Sequence, residues 1–231
     1  MSITENIHSI RKAITDTAKR CNRDPQSVKL IAVSKRHPLS SIKEAMKAGQ
    51  FHFGENYIQE AAEKIKAIPE KAIFHFIGHI QSNKAKQAAE LFGMIETVDR
   101  YKLAKSLNNH CKKLDKKLDI LVQVNIGNDP NKAGIASEKA EDFLKQLIQL
   151  KQLRPLGLMT IPPLSKDTET TRKHFRNLRL LSTALGKQNL FASSSIELSM
   201  GMSHDFRIAI QEGATIVRVG TSIFGKRPDR K

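Results

Sequence analysis

Eight short apolar runs recur along this chain, at residues 28–34, 50–53, 72–78, 94–98, 119–126, 154–160, 195–199 and 215–220. Most carry valine, isoleucine, leucine or phenylalanine in succession, which suits strands covered on both faces. Helix-like stretches separate them, near 39–49, 56–68, 83–92, around Lys112 to Lys117, and near 137–151, 168–186 and 204–212. Ser40 or Ser41 is the expected cap of the first, and Pro69 the expected stop of the second. Strand and helix in strict alternation imply parallel pairing with crossovers. At 231 residues, the economical solution is an α/β fold of TIM type, a single closed (β/α)8 barrel. An open doubly wound sheet is the alternative. An amphipathic stretch at 3–22, with Ile7, Ile10, Ile14 and Ala18 on one face, reads as an extra N-terminal helix. Only about ten residues follow the eighth run, too few for a full last helix, so the opening helix is placed to cover that gap. Linkers, repeats and low-complexity tracts are missing, and one domain over residues 1–231 is expected.

No apolar run approaches the roughly 18 residues of a membrane span. The first residues, Met1 to Ile7, lack the basic lead and apolar stretch of a signal peptide. Cys21 and Cys111 have no metal-ligand or redox spacing, which fits a reducing compartment, so the cytoplasm is the expected location. The net charge of +16 raises nucleic-acid binding as a possibility. The basic residues are scattered, however, and the cluster Lys112, Lys113, Lys116 and Lys117 has no interleaved aromatics for base stacking. A solvated basic surface is the better reading, with no dedicated nucleic-acid site and no membrane partner.

Lys35 directly follows the first run, and His37-Pro38 stops it. An amine at the tip of a buried strand is partly desolvated, which favours the neutral, nucleophilic form. Such a lysine can capture a carbonyl. In a barrel the functional face lies at the strand C-termini, with phosphate sites after strands seven and eight. Both places carry small, hydroxyl-bearing residues here: Ser199-Met200-Gly201-Met202-Ser203 and Gly220-Thr221-Ser222. Arg218 lies between Val217 and Val219, so alternation turns it into the barrel, where it needs an acceptor. Glu197 of the neighbouring strand is one candidate, and a ligand heteroatom is another.

Taken together, Ala32-Val33-Ser34-Lys35, Phe53-Gly54-Glu55-Asn56-Tyr57, Phe74-His75-Phe76-Ile77-Gly78-His79-Ile80-Gln81-Ser82-Asn83-Lys84, Gly157-Leu158-Met159, Ser199 to Ser203 and Val217 to Gly225 resemble the pyridoxal phosphate homeostasis protein family. The resemblance implies a fold-type III barrel like the N-terminal domain of alanine racemase, binding pyridoxal 5′-phosphate (PLP). It implies that Lys35 is the Schiff-base lysine and that Ser199, Ser203, Gly220 and Thr221 hold the phosphate. Arg218 matches the arginine facing the pyridine nitrogen, while Asn56 and Met159 line the pocket. Some of His79, Gln81, Ser82 and Asn83 are expected toward the cofactor's far side. Two departures stand out: His204 where the family commonly has an acid, and a loop from Gly127 to Gly134 without the usual acidic and serine positions.

The implied role is vitamin B6 and amino-acid homeostasis, with PLP-dependent apo-enzymes as partners. A PLP-dependent racemase is the alternative. Two-base racemisation needs a proton donor on each substrate face, and in alanine racemase the second is a tyrosine from an added domain. Tyr57 and Tyr101 are the only tyrosines here, both in helix-like segments, with Tyr57 expected to pack into the core. No catalytic residue is therefore assigned. His75 and His79, four apart, lack a third ligand at matching spacing, so no metal is expected. Without the racemase's dimerising domain, a monomer is expected.

Overall fold

A computed structural model describes residues 2–68, 71–163 and 165–226. Pro69 lies outside the described residues. Eight parallel strands close into a barrel in sequence order, β1 (Lys29–Val33), β2 (His52–Glu55), β3 (Ile73–Phe76), β4 (Met94–Val98), β5 (Leu118–Gln123), β6 (Leu153–Met159), β7 (Glu197–Ser199) and β8 (Ile216–Val219). The closing pair is β1 with β8, in register from Lys29 opposite Ile216 to Ala32 opposite Val219. Closure decides between the barrel and the open sheet: no edge is left to bind another strand.

Helices cover the outside: α1 (Ile3–Arg20), α2 (Leu39–Lys47), α3 (Ile58–Lys66), α4 (Ala85–Leu91), α5 (Tyr101–Lys113), α6 (Ala140–Leu147), α7 (Thr168–Lys187), α8 (Phe206–Gln211) and α9 (Thr221–Phe224). The extra helix α1 starts in a capping box, Ser2 accepting from the Glu5 N–H and Glu5 returning the bond. It packs on α2, α8 and the four-residue α9, and Asn6 donates to the Ile223 carbonyl at 2.9 Å. The gap left by the short last helix is thus filled from the N-terminus.

Local chemistry moves several boundaries. Helix α2 starts at Leu39 behind an extended Pro38 and has no side-chain cap, so neither Ser40 nor Ser41 caps it. Helix α5 stops at Lys113, and Asp115 turns left-handed at φ 47°, leaving Lys116 and Lys117 beyond the helix.

The strands sort their side chains by parity. Leu30, Ala32, Val217 and Val219 join the large core between barrel and helices. Ile31, Met94, Leu121, Leu156, Met159 and Ile216 fill the barrel itself. Residues that share their parity, among them Lys35, Glu96 and Arg218, therefore belong to the barrel's inner column or its C-terminal mouth.

Candidate functional site

A cavity of about 220 Å³ opens at the C-terminal mouth. Six residues expected from the sequence line it: Lys35, Asn56, Ser203, Arg218, Gly220 and Thr221. Val33, Ile77, Ile161 and Met202 supply apolar wall, and His204 is also on it. Sequence reading missed these apolar residues because they sit at strand ends and in loops, where burial has no periodic signature.

The backbone after β7 is shaped by Gly201 at φ 90°, where an added Cβ would lie 2.5 Å from the Ala209 Cβ. Asp205 accepts from the Met202 N–H at 2.6 Å, closing the loop that presents Ser203. Gly220 brings β8 close to β1, with its Cβ position 3.3 Å from Val33. Ser203, in the loop after β7, and Thr221, the first residue of α9, thus both bring hydroxyl-bearing side chains to the cavity wall.

Lys35 lies two residues past β1 and is half-buried. Its neighbours on both sides are fixed. Lys64 of α3, itself buried, donates to the Ser34 carbonyl at 2.8 Å and to Glu55 Oε1 at 2.7 Å. The Ser34 hydroxyl also donates to Glu55, and the Arg36 N–H donates to the Glu60 carboxylate. Arg36 is left-handed at φ 65°, a conformation costly for a residue with a Cβ. That bond to Glu60 stabilises the turn which aims Lys35 into the cavity. Burial raises the Glu55 carboxyl above its usual range, only partly offset by Lys64 and Ser34.

Arg218 of β8 also lines the cavity. It is 3 % exposed and donates to the Ser199 hydroxyl and, at 2.8 Å, to the Thr160 carbonyl. Its carboxylate is Glu96, 3.8 Å away and fully buried. Burial pulls the guanidinium below its usual range, and the charges of Glu96 and Asp205 oppose that. For Glu96, burial alone would raise the carboxyl. Hydrogen bonds from His75 and Ser199 and the charges of His75 and Arg218 bring it below the ordinary range instead.

Three expectations change here. Glu197 does not serve Arg218: it sits at the other end of the barrel, 3.3 Å from Lys29 and bonded to Thr215. Ser199 is fully buried and held between Glu96 and Arg218, so it is not on the cavity wall with Ser203. Met159, also fully buried, belongs to the apolar layer inside the barrel and likewise does not reach the wall.

Other residues lie apart. His79, Gln81 and Asn83 are exposed, Ser82 is half-buried, and none of the four lines the cavity. Tyr57 precedes α3 and is 45 % exposed, because Ile58 takes the core position at that turn. His75 contacts Glu96 and His52, and the described residues contain no cluster able to hold a metal ion. Among the described residues, no helix is long and apolar enough to cross a membrane.

The chain is similar to known proteins along nearly its whole length. The family described as alanine racemase, N-terminal domain, matches residues 5–228. A Pasteurella multocida protein named pyridoxal phosphate homeostasis protein is 42 % identical over 98 % of both chains. PipY of Synechococcus elongatus, solved with PLP bound, superposes with a TM-score of 0.84 at 38 % identity, covering 97 % of this chain and 100 % of PipY. PipY without PLP gives 0.87 at 40 % identity over the same shares.

Proposed function

The chain belongs to the pyridoxal phosphate homeostasis protein family, and on that premise we propose that it binds PLP in the cavity beside Lys35. One observation carries the reading: an amine, two hydroxyls and a guanidinium, from the loops after β1 and β7, from β8 and from the start of α9, line the same small cavity. The residues fit the group. Asn56 Oδ1 is buried there without a hydrogen-bond partner among the described residues, so the wall holds an acceptor whose donor a ligand can bring. When bound, PLP supplies an aldehyde that a lysine amine captures reversibly as a Schiff base.

Lys35 is the residue we assign to that capture, its position set by the bonds of Ser34 and Arg36. Ser203, Thr221 and the backbone at Gly220 are assigned to the phosphate, since hydroxyls and close backbone suit an anion. Arg218 is assigned to the ring nitrogen. A guanidinium only donates, so it leaves that nitrogen unprotonated and the ring a weaker electron sink.

This supports a carrier rather than a racemase. Neither Tyr57 nor Tyr101 lines the cavity, and the wall's imidazole, His204, follows Ser203 in the anion-binding loop. The protein would act as a single cytoplasmic barrel domain and as a monomer. It would buffer a reactive aldehyde and release it to apo-enzymes that need it.

Titration with PLP should give saturable binding and an absorbance band at about 420 nm. Assays with either enantiomer of alanine should show no interconversion. Turnover that disappears in Lys35→Ala would favour the racemase reading, and failure to bind PLP would contradict both.

A further inference from the structure

A line of polar side chains runs from the cavity down through the barrel, and the binding reading uses only its first member. Arg218 Nη1 donates to Ser199 Oγ, and Ser199 Oγ donates to Glu96 Oε2. Glu96 Oε1 lies 2.7 Å from His75 Nδ1, and His75 Nε2 lies 3.4 Å from His52 Nδ1. The five residues come from five strands, β8, β7, β4, β3 and β2. Four of them are almost fully buried, with Arg218 at 3 %, His75 at 2 %, and Ser199 and Glu96 at 0 %.

Such a line has a direction. Arg218 is a donor, Ser199 relays it, and Glu96 is the acceptor at which the bonds from both sides end. Among the described residues, Glu96 is the carboxylate within ion-pair distance of Arg218. Asp205, whose charge also reaches the guanidinium, is engaged by the Met202 N–H. A buried guanidinium that loses its counter-charge moves toward any remaining acceptor or toward water, and water lies on the cavity side.

We propose that Glu96 is a positioning residue. It anchors Arg218 through Ser199 and by its charge, and so sets which guanidinium edge the cavity presents to a ligand's ring nitrogen. This rests on the reading that the cavity binds PLP with its ring at Arg218. His75 in turn fixes the carboxylate from below, with His52 behind it. The remaining charges near this line are at the barrel's other end, where Lys29, Asp119 and Glu197 surround the histidines. They do not contact Arg218.

The test compares the wild-type protein with Glu96→Gln and Glu96→Asp, using two measurements. Without cofactor, phenylglyoxal modification of Arg218 is followed by mass spectrometry, with the half-exposed Arg176 as internal reference. Glu96→Gln should raise the Arg218 rate several-fold, and Glu96→Asp, which keeps the charge, should restore it. With PLP, Glu96→Gln should weaken binding by roughly 10- to 100-fold, the range found when the groups that orient metal ligands are removed. Glu96→Asp should recover most of that. Unchanged reactivity and unchanged affinity in Glu96→Gln would overturn the proposal. If the wild type fails to take up PLP while the reactivity change is present, the anchoring stands and the cofactor reading falls. Should Glu96→Gln fail to fold, Ser199→Ala cuts the same line with the charge kept. It should shift both measurements in the same direction, and no shift would overturn the proposal.

Discussion

Lys64 Nζ lies 2.7 Å from Glu55 Oε1 and 2.8 Å from the carbonyl of Ser34, the residue before Lys35. A helix on the outside of the barrel thereby holds the backbone that presents the inner lysine. Breaking this buried pair from one side leaves a carboxylate with one oxygen already unpartnered and no counter-charge. Lys64→Met should cost about 3–5 kcal/mol in chemical denaturation and weaken PLP uptake. Lys64 also pairs with the part-exposed Glu60, so adding Glu55→Leu removes the fully buried stranded charge and should return most of the stability, but not the uptake, because Ser34 stays untied.

The two cavity hydroxyls give a ligand-dependent prediction. Ser203→Ala or Thr221→Val should each cost about 1.5–3 kcal/mol of PLP binding, the usual worth of a hydrogen bond to a charged group. Pyridoxal, which lacks the phosphate, should bind these variants and the wild type alike. Isothermal titration with both compounds checks it.

Gly201 tests the loop backbone. At φ 90°, with Ala209 Cβ 2.5 Å from where a methyl would sit, Gly201→Ala combines strain with a clash. A loss of about 1–3 kcal/mol in stability is expected from the strain alone. PLP affinity should fall as well, since the loop presents Ser203.

His52 makes stability depend on pH. Burial first, then the charges of His75 and Lys29, push it down to about 4 from 6.5. The unfolded chain therefore binds the proton more readily, so stability is full above pH 6.5 and is lost as pH falls toward 4. Because the ring is partly exposed, the slope from this group should stay under about 1.4 kcal/mol per pH unit. His52→Gln should flatten the acid side of a stability–pH curve; an unchanged curve would contradict the assignment.

What was legible in the sequence follows from how each feature is encoded. Strands β1, β4 and β8 are mainly apolar runs, and the alternation of Val217, Arg218 and Val219 turns Arg218 into the barrel. Lys35 stood out because a charge at a buried strand end is costly. The partner of Arg218 was not legible. Glu96 interrupts its own apolar strand as visibly as Arg218 does, but a hydrogen bond across the barrel leaves no spacing to read, and neighbouring β7 offered Glu197 as the nearer choice. The start of α2 is set by a neighbouring residue rather than by capping chemistry. Ser40 and Ser41 have capping chemistry, yet Pro38 fixes an extended residue just ahead of Leu39 and the helix begins there. Met159 and Ser199 sit on strands of the correct face but one layer too deep, and depth along a strand depends on barrel stagger rather than on local sequence.

Covalent capture of PLP by Lys35 is tested by borohydride reduction of the PLP-treated protein followed by peptide mapping. A pyridoxyl-phosphate adduct is expected on the peptide bearing Lys35 at near-stoichiometric yield, with bleaching of the band at about 420 nm. Lys35→Ala should lose both. An adduct spread over surface lysines, or unchanged labelling in Lys35→Ala, would contradict it.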